Sequence, residues 1–370
     1  MKQIIESNRC TGCGACASSC KSKAISMKPD SRGFLHPSID YSRCSNCGLC
    51  SKICPPLNYY TNPPINSEKL GYAARIRNIE ERKKSSSGGI FMALAHYIIS
   101  KGGYVVGAAF DADYEVEYKI INDEIDLHYL QGSKYLQCRA DSVTFPNIQI
   151  LLKEGKLVLF IGLACQIEGL LSFLRNDYEN LFCIDLICMG VPSAKVWRKY
   201  ISVLFPEEKP IAVNFKEKSL GWDKFTLAID TKKSHFREVG AENAYFQSMF
   251  KTFNMRRSCF RCSFKKIDRK ADITLADCWG VASSVPSLND NLGLSSVIIH
   301  SAKGRLLWEA IIPSIEFIEV PVEAIVKGNP NLISNRKEKP IKSKLFFLLL
   351  NYWPHKAFEL AKYGAKAFIK

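Results

Sequence analysis

The sequence has no run approaching the ~18 apolar residues that a membrane-spanning helix needs, so no span is expected. Its first nine residues lack the apolar segment of a secretory signal, so export is not expected either. There is no G-x-G-x-x-G fingerprint and no Walker A phosphate loop. The Cys-x3-Cys-x2-Cys spacing of radical enzymes is absent too. Histidine is sparse: six residues, scattered, none of which stands out as a catalytic acid or base. No catalytic residue is named on this basis. The formal charge is +15, yet no helix-turn-helix, zinc-finger or RNA-binding pattern accompanies it. Nucleic acid is therefore not expected as a partner.

What the chain does have is cysteine, fifteen in 370 residues. Without an export signal, that many thiols point to a reducing cytoplasm and to metal or redox use. Eight fall in two matching runs, Cys10-x2-Cys13-x2-Cys16-x3-Cys20 and Cys44-x2-Cys47-x2-Cys50-x3-Cys54. This is the spacing of a two-cluster bacterial ferredoxin, in which the last Cys of each run completes the other run's cube. The pattern assigns one 4Fe-4S cluster to Cys10, Cys13, Cys16 and Cys54. It assigns a second to Cys44, Cys47, Cys50 and Cys20. Zinc would use such pairs in a structural site, and disulfides would form in a secreted chain. Pro55 follows the second run, but Lys21 follows the first. Between the runs, residues 24–40 read as two short strands around a Gly turn. Each 2+ cube with four thiolates carries about −2, so three cubes would bring the net charge to about +9. Much of the basic excess then offsets clusters.

Composition is globular, 47% hydrophobic and 24% charged, and the length suits two or three domains. Residues 1–60 form the ferredoxin unit, and 55–67, rich in Pro and Asn, read as a linker. Residues 89–101 carry a helical apolar stripe ended by Gly102-Gly103. Residues 104–110 read as a buried strand and 114–121 as an alternating one. Ser85 to Gly89 precede that helix. Their small side chains and the helix N-terminus suit a phosphate or pyrophosphate, or simply a flexible N-cap.

Further on, 157–161 reads as a strand, then Cys165 and a helix, then a strand at 181–187, then Cys188 and a helix through Leu204. This β-α-β-α order makes the two strands parallel. Cys165 and Cys188 then leave the C-terminal ends of neighbouring strands, where open sheets bind ligands. Cys259-Phe260-Arg261-Cys262 supplies two more thiols. Together they make a candidate third 4Fe-4S site, with a zinc site or buried free thiols as competing readings. Cys138, Cys183 and Cys278 have no partner spacing and read as small buried hydrophobes.

At these residues a family resemblance appears. From about 71 to 347 the chain resembles the coenzyme F420 hydrogenase/dehydrogenase beta-subunit family, with the ferredoxin module fused in front. The motifs are Ser85-Ser86-Ser87-Gly88-Gly89-Ile90, Gly132-Ser133-Lys134-Tyr135, Gly162-Leu163-Ala164-Cys165-Gln166, Cys188-Met189-Gly190-Val191-Pro192-Ser193 and Arg257-Ser258-Cys259-Phe260-Arg261-Cys262. Asp272-Ile273-Thr274 leading to Asp277-Cys278-Trp279-Gly280 is another. The resemblance implies an FAD beside a core 4Fe-4S cluster, with Ser86, Ser87, Gly88, Gly89, Lys134 and Tyr135 as flavin contacts. Leu163-Ala164 stands where the family often has Thr-Pro, and Met189 where it often has His. The substrate is therefore left open.

The fold expected is α+β / α/β: an N-terminal bacterial ferredoxin-like domain, then an α/β core with a partly parallel sheet, divided at 68–150 and 151–335. The function expected is an iron–sulfur flavoprotein oxidoreductase passing electrons from the ferredoxin clusters through a core cluster and FAD. The acceptor would be an organic two-electron molecule, or else a redox partner protein served by a chain with no substrate of its own. Residues 336–370 hold nine Lys/Arg against Glu338 and Glu359, with apolar residues at helical spacing. They read as a helix packed on the body, or as one lying peripherally on an anionic membrane.

Overall fold

The computed structural model describes residues 4–58, 69–140 and 142–364. The ferredoxin-like unit is built around an antiparallel hairpin, β1 (Ile25–Pro29) and β2 (Leu35–Ile39). Asp30 accepts from the N–H groups of Arg32 and Phe34 and so tightens the turn between them. Two one-turn helices, Ala15–Ser18 and Leu49–Lys52, mark the repeat. Each is entered through a left-handed glycine, Gly14 (φ 79°) and Gly48 (φ 70°). Two residues earlier the halves match again, with Gly12 at φ 75° and Asn46 at φ 53°. Left-handed backbone curls a Cys-x2-Cys-x2-Cys loop inward, and Gly or Asn adopts it at least cost. Pro55–Asn58, the start of the expected linker, is instead a helical turn with Pro55 and Pro56 buried. Proline in a first turn removes no helical hydrogen bond. Residues 59–67 of that stretch lie outside the described residues.

The core is one mixed sheet. Its strands are β3 (Leu70–Ile76), β4 (Tyr104–Phe110), β5 (Val116–Ile121), β6 (Cys138–Arg139), β7 (Val158–Leu163) and β8 (Leu181–Leu186). A second, three-stranded sheet holds β9 (Ala212–Glu217), β10 (Thr226–Asp230) and β11 (His235–Val239). The main sheet is completed by β12 (Ile273–Asp277), β13 (Ser295–Ile299) and β14 (Ile315–Glu319). Its order is β14-β3-β13-β12-β8-β7-β4-β5-β6. The four central strands, β12, β8, β7 and β4, are mutually parallel. The partly parallel sheet is thus as the sequence implied. The boundary expected at 150/151 falls within this sheet, since strands from both sides interleave. The central strands are apolar on both faces (Val105, Leu159, Phe160 and Ile184 are fully buried), so each needs neighbours that the chain supplies from far away.

Helices cover both faces. Ile90–Ser100 and Ala302–Ile311 bury Leu94, Ile98 and Trp308 on one. Thr144–Lys153, Ala164–Leu174 and Ala194–Leu204 bury Phe145, Leu170 and Trp197 on the other. The tail forms helices Pro340–Tyr352 and Pro354–Tyr363, which place Phe346, Phe347, Leu350 and Phe358 in that same core. Both tail helices are therefore packed on the body by one side. Ala365 and Phe368, part of the expected apolar stripe, lie outside the described residues. Cys138, Cys183 and Cys278 are all buried.

Candidate functional site

The ferredoxin unit is docked into the core by buried polar contacts. Arg256, 1% exposed, donates from Nε to the Cys10 carbonyl at 2.7 Å and from a terminal nitrogen to the Leu35 carbonyl at 2.8 Å. Gln137 accepts from the Leu35 N–H at 3.0 Å. Ser193 donates to the Arg32 carbonyl. Glycine makes the approach close enough. A Cβ on Gly12 would meet Gln137 at 2.6 Å, and one on Gly14 would meet the Ala140 Cβ at 2.6 Å.

Within that unit Cys10, Cys13, Cys16 and Cys54 line one cavity with Ile4, Ile5 and Met27. Burial raises the Cys13 and Cys16 thiols, and pushes Cys54 up to about 12. Burial pushes Cys10 up as well, but His36 and Arg256 outweigh it and hold that thiol below its ordinary value. Cys20 and Cys50 pack against the same apolar cluster. Cys44 is half-buried and Cys47 is exposed. The Leu49 N–H holds the Cys47 thiol below its usual value. The second set therefore lies nearer the surface than the first.

The four remaining candidate thiols meet at the edge of the main sheet. Cys165 opens helix Ala164–Leu174 directly after β7, and Cys188 follows β8 by two residues. Cys259 and Cys262 arrive on a single 3-10 turn, Arg257–Arg261, and its end. All four line one cavity, with a water-accessible volume of about 40 Å³. That is room for about three waters, at ~10–15 Å³ each. Thr11, from the loop between Cys10 and Cys13, lines the same cavity. Gly190 on its wall has φ 149°, and a Cβ there would meet the Met255 methyl at 1.9 Å. The Val191 N–H points to the Cys259 sulfur at 3.4 Å. Burial, then mutual repulsion, raises the thiols, Cys188 to about 12. Such a set ionises only around a cation. Ser258 Oγ, on the cavity wall, is buried with no hydrogen-bond partner among the described residues. Among those residues no three His, Cys, Asp or Glu side chains are placed to hold a single metal ion.

The two cavities touch. Gly169 lies in the helix that Cys165 opens, and a Cβ on it would sit 2.9 Å from the Cys13 Cβ and 3.0 Å from the Cys13 sulfur. Met189, in place of the family's histidine, packs against the apolar core and offers no proton.

The same sheet edge continues past Cys188. Asp277 ends β12, and its register partner Ser295 also pairs with Ala74 of β3. The Ser/Gly loop sits there. The Gly88 N–H donates to Ser295 Oγ at 3.0 Å, and Ser87 Oγ donates to the Leu294 carbonyl at 2.6 Å. Ser86 Oγ accepts from the Ser133 N–H at 2.6 Å, so the loop and the Gly132–Tyr135 segment are brought together. Gly88 is small for packing, since a Cβ would meet the Ala74 carbonyl oxygen at 2.4 Å. Gly89 (φ 81°) caps helix Ile90–Ser100 with no side-chain bond, which leaves the helix N-terminus open to an acceptor. Lys134 turns its amine to the carbonyls of Tyr129 and Gln131. Burial takes that amine down to about 7.

Sequence reasoning missed the polar residues beside this loop. Lys216 and Lys218 come from the end of β9 and just beyond it. Lys218 donates to the carbonyls of Arg82, Ser87 and Leu292, and burial brings it down to about 7. Lys216 pairs with Asp277, which also accepts from the Trp222 indole at 3.1 Å. Burial opposes the Lys216 charge, but Asp277 and Tyr135 raise it above the ordinary lysine value. Trp222 stacks on Trp279 with centroids 4.4 Å apart. The Asp277-Cys278-Trp279-Gly280 motif was the only signal for this cluster; nothing local marks the lysines.

Residues 9–56 match the 4Fe-4S dicluster domain. Residues 155–324 match the family described as the C terminus of the coenzyme F420 hydrogenase/dehydrogenase beta subunit. Over those residues the chain is similar to that beta-subunit family. The coenzyme F420-dependent sulfite reductase of Methanocaldococcus jannaschii is 25% identical over 325 residues, which cover 84% of this chain and 47% of that protein. The chain thus spans about half the length of the curated relative it matches. A chain of the F420-reducing NiFe hydrogenase complex of Methanosarcina barkeri aligns with a TM-score of 0.47 at 17% identity, covering 74% of this chain and 86% of its own. The chain thus joins a 4Fe-4S dicluster domain to a region similar to the C terminus of that beta subunit.

Proposed function

We propose that the protein is an iron–sulfur flavoprotein oxidoreductase with three 4Fe-4S clusters and one FAD. Cys44, Cys47, Cys50 and Cys20 would hold the outer ferredoxin cluster, and Cys10, Cys13, Cys16 and Cys54 the inner one. Cys165, Cys188, Cys259 and Cys262 would hold the core cluster. The observation that carries the reading is the shared wall. Thr11 of the ferredoxin loop lines the core-thiol cavity, and Cys13 packs on the helix that Cys165 opens. The outer ferredoxin set is the most exposed, and the inner set, with Cys10, Cys13 and Cys54 buried, lies against the core set. A cavity with room for more than one atom favours a polynuclear group over a single zinc ion in the core.

FAD, when bound, supplies the exchange between single electrons and a hydride. The C-terminal ends of β7, β8 and β12 are the edge where open α/β sheets bind such ligands. The Ser86 and Ser87 hydroxyls and the Lys134 amine are already bonded within the protein. What is left for a pyrophosphate is the open N-terminus of helix Ile90–Ser100, while Lys216, Asp277 and Tyr135 would supply the polar wall. The acceptor we propose is a deazaflavin of the coenzyme F420 type or another organic two-electron molecule. The test is flavin content of the anaerobically purified chain, followed by acceptor reduction. One FAD per chain, and reduction of a deazaflavin by the isolated protein, support the proposal. No flavin retained, with or without added FAD, sinks it.

A second reading has a specific support. The sulfite reductase relative carries about as much chain again outside the matched part, and an activity housed there lies beyond these residues. This chain would then relay electrons to a partner protein. Acceptor reduction that appears only when a partner is added would favour that reading.

A further inference from the structure

Helix Pro340–Tyr352 is apolar on two sides. Its inner side buries Ser343, Phe346, Phe347 and Leu350. Its outer side exposes Ile341 (82%), Leu345, Leu348 and Tyr352 (69%). At 3.6 residues per turn those four fall within about 60° of one another, a single straight stripe. Trp353, 62% exposed, follows at the helix end, about 80° round from the stripe's edge. Lys342 lies about 100° to one side of the stripe and Lys344 about 60° to the other. No acidic residue occurs between Glu338 and Glu359.

We infer that this face docks on an anionic lipid surface. An isolated exposed leucine needs no explanation, but a continuous apolar stripe does. Lysine is depleted from the cores of protein–protein interfaces. Lysines flanking an apolar stripe that ends in Tyr and Trp are instead the pattern of a helix lying in the bilayer interface. The stems of Lys342 and Lys344 follow the stripe inward, and their ammonium groups stay at headgroup level. No helix among the described residues is long and apolar enough to cross a membrane, so this contact lies on the surface. The helix also holds the ferredoxin hairpin. Arg32 donates to Ser343 Oγ at 3.3 Å, and Phe34 meets Phe347 edge-on at 6.4 Å between centroids. Docking would therefore bring the ferredoxin unit next to the lipid.

The test is co-sedimentation of the full cluster-loaded chain with phosphatidylcholine vesicles, with and without one-third phosphatidylglycerol. Two double variants accompany it, Ile341→Ser with Leu348→Ser and Lys342→Gln with Lys344→Gln. All four positions are off the packed side, and melting curves check that both variants fold. The wild type should sediment with the anionic vesicles and not the neutral ones. Loss of the lysines should weaken binding about fivefold per charge, and loss of the apolar pair should abolish it. Failure of the wild type to bind, or equal binding by all three proteins, overturns the inference. So does an Ile341-dependent self-association or protein complex in the absence of lipid binding.

Discussion

Replacing Gly169 with Ala adds one methyl group at the junction of the two candidate cluster sites. At an ordinary helix-interior position this change stabilises by ~1 kcal/mol, because Ala restricts the unfolded chain and suits the helix. Here the new Cβ would stand 2.9 Å from the Cys13 Cβ and 3.0 Å from its sulfur. Carbon atoms rest at about 3.5–4.0 Å, so helix Ala164–Leu174 and the Cys13 loop must part by about 0.5–1 Å. Neither side yields easily. Cys13 is fixed by its loop backbone, and Leu170 and Ile167 of the helix are fully buried. Overpacking of this kind costs about 1–3 kcal/mol, which outweighs the helix gain. The variant should lose up to about 2 kcal/mol of stability rather than gain one. Chemical denaturation under anaerobic conditions reads the sign. Electron paramagnetic resonance of the fully reduced protein reads the consequence, as weaker coupling between neighbouring clusters at unchanged iron content. A variant about 1 kcal/mol more stable, with an unaltered spectrum, would refute a tight Cys13–Gly169 contact.

Other expectations follow from single contacts. Ser258→Ala removes a buried hydroxyl from the core cavity wall. A net hydrogen bond of ~1 kcal/mol corresponds to about 40 mV at 59 mV per tenfold, so a redox titration should find the core cluster lower by tens of millivolts, with no iron lost. An unchanged potential would show that this hydroxyl does not face the cluster. Arg256→Met strands two buried carbonyls, Cys10 and Leu35, at about 1–3 kcal/mol each. Limited proteolysis should then release the ferredoxin unit; resistance equal to the wild type would place the docking energy elsewhere. His96 bonds Glu81 at 2.5 Å and lies near Glu124, which raise its pKa above 6.5 against the opposing effect of burial. That contribution is complete below the unfolded value and is lost as pH rises through the higher folded value. Melts compared from pH 5.5 to 8.5 should show the wild type losing its margin over His96→Gln as pH rises above about 6.5; parallel curves would contradict it.

What could be read from the sequence is what depends on nearby residues. The curl of each Cys-x2-Cys-x2-Cys loop is written in Gly12, Gly14, Asn46 and Gly48, a few positions from the thiols they turn. The parallel order of β7 and β8 follows from a single strand–helix–strand unit. The runs at 104–110 and 158–163 are apolar throughout because both faces of the sheet are covered. What could not be read depends on long-range partners. β3, β13 and β14 join the sheet from opposite ends of the core stretch, so a division at 150/151 looked reasonable and the sheet crosses it. Lys216 finds Asp277 and Arg256 finds Cys10 across the fold, and no local spacing records either pair. Gly88 also packs against the Ala74 carbonyl of a distant strand, a contact that no local spacing records. The tail reads first as a helix packed on the body and second as a membrane-surface helix because it is apolar on both sides, and the fold buries one of them.

The measurement that bears most directly on the central claim is iron, acid-labile sulfide and zinc content of anaerobically reconstituted protein, wild type beside Cys188→Ser. Three cubes at four iron each predict about twelve iron in the wild type, falling to about eight in the variant, with no zinc in either. About eight iron in both, or eight with one zinc in the wild type alone, would contradict a core cluster at Cys165, Cys188, Cys259 and Cys262.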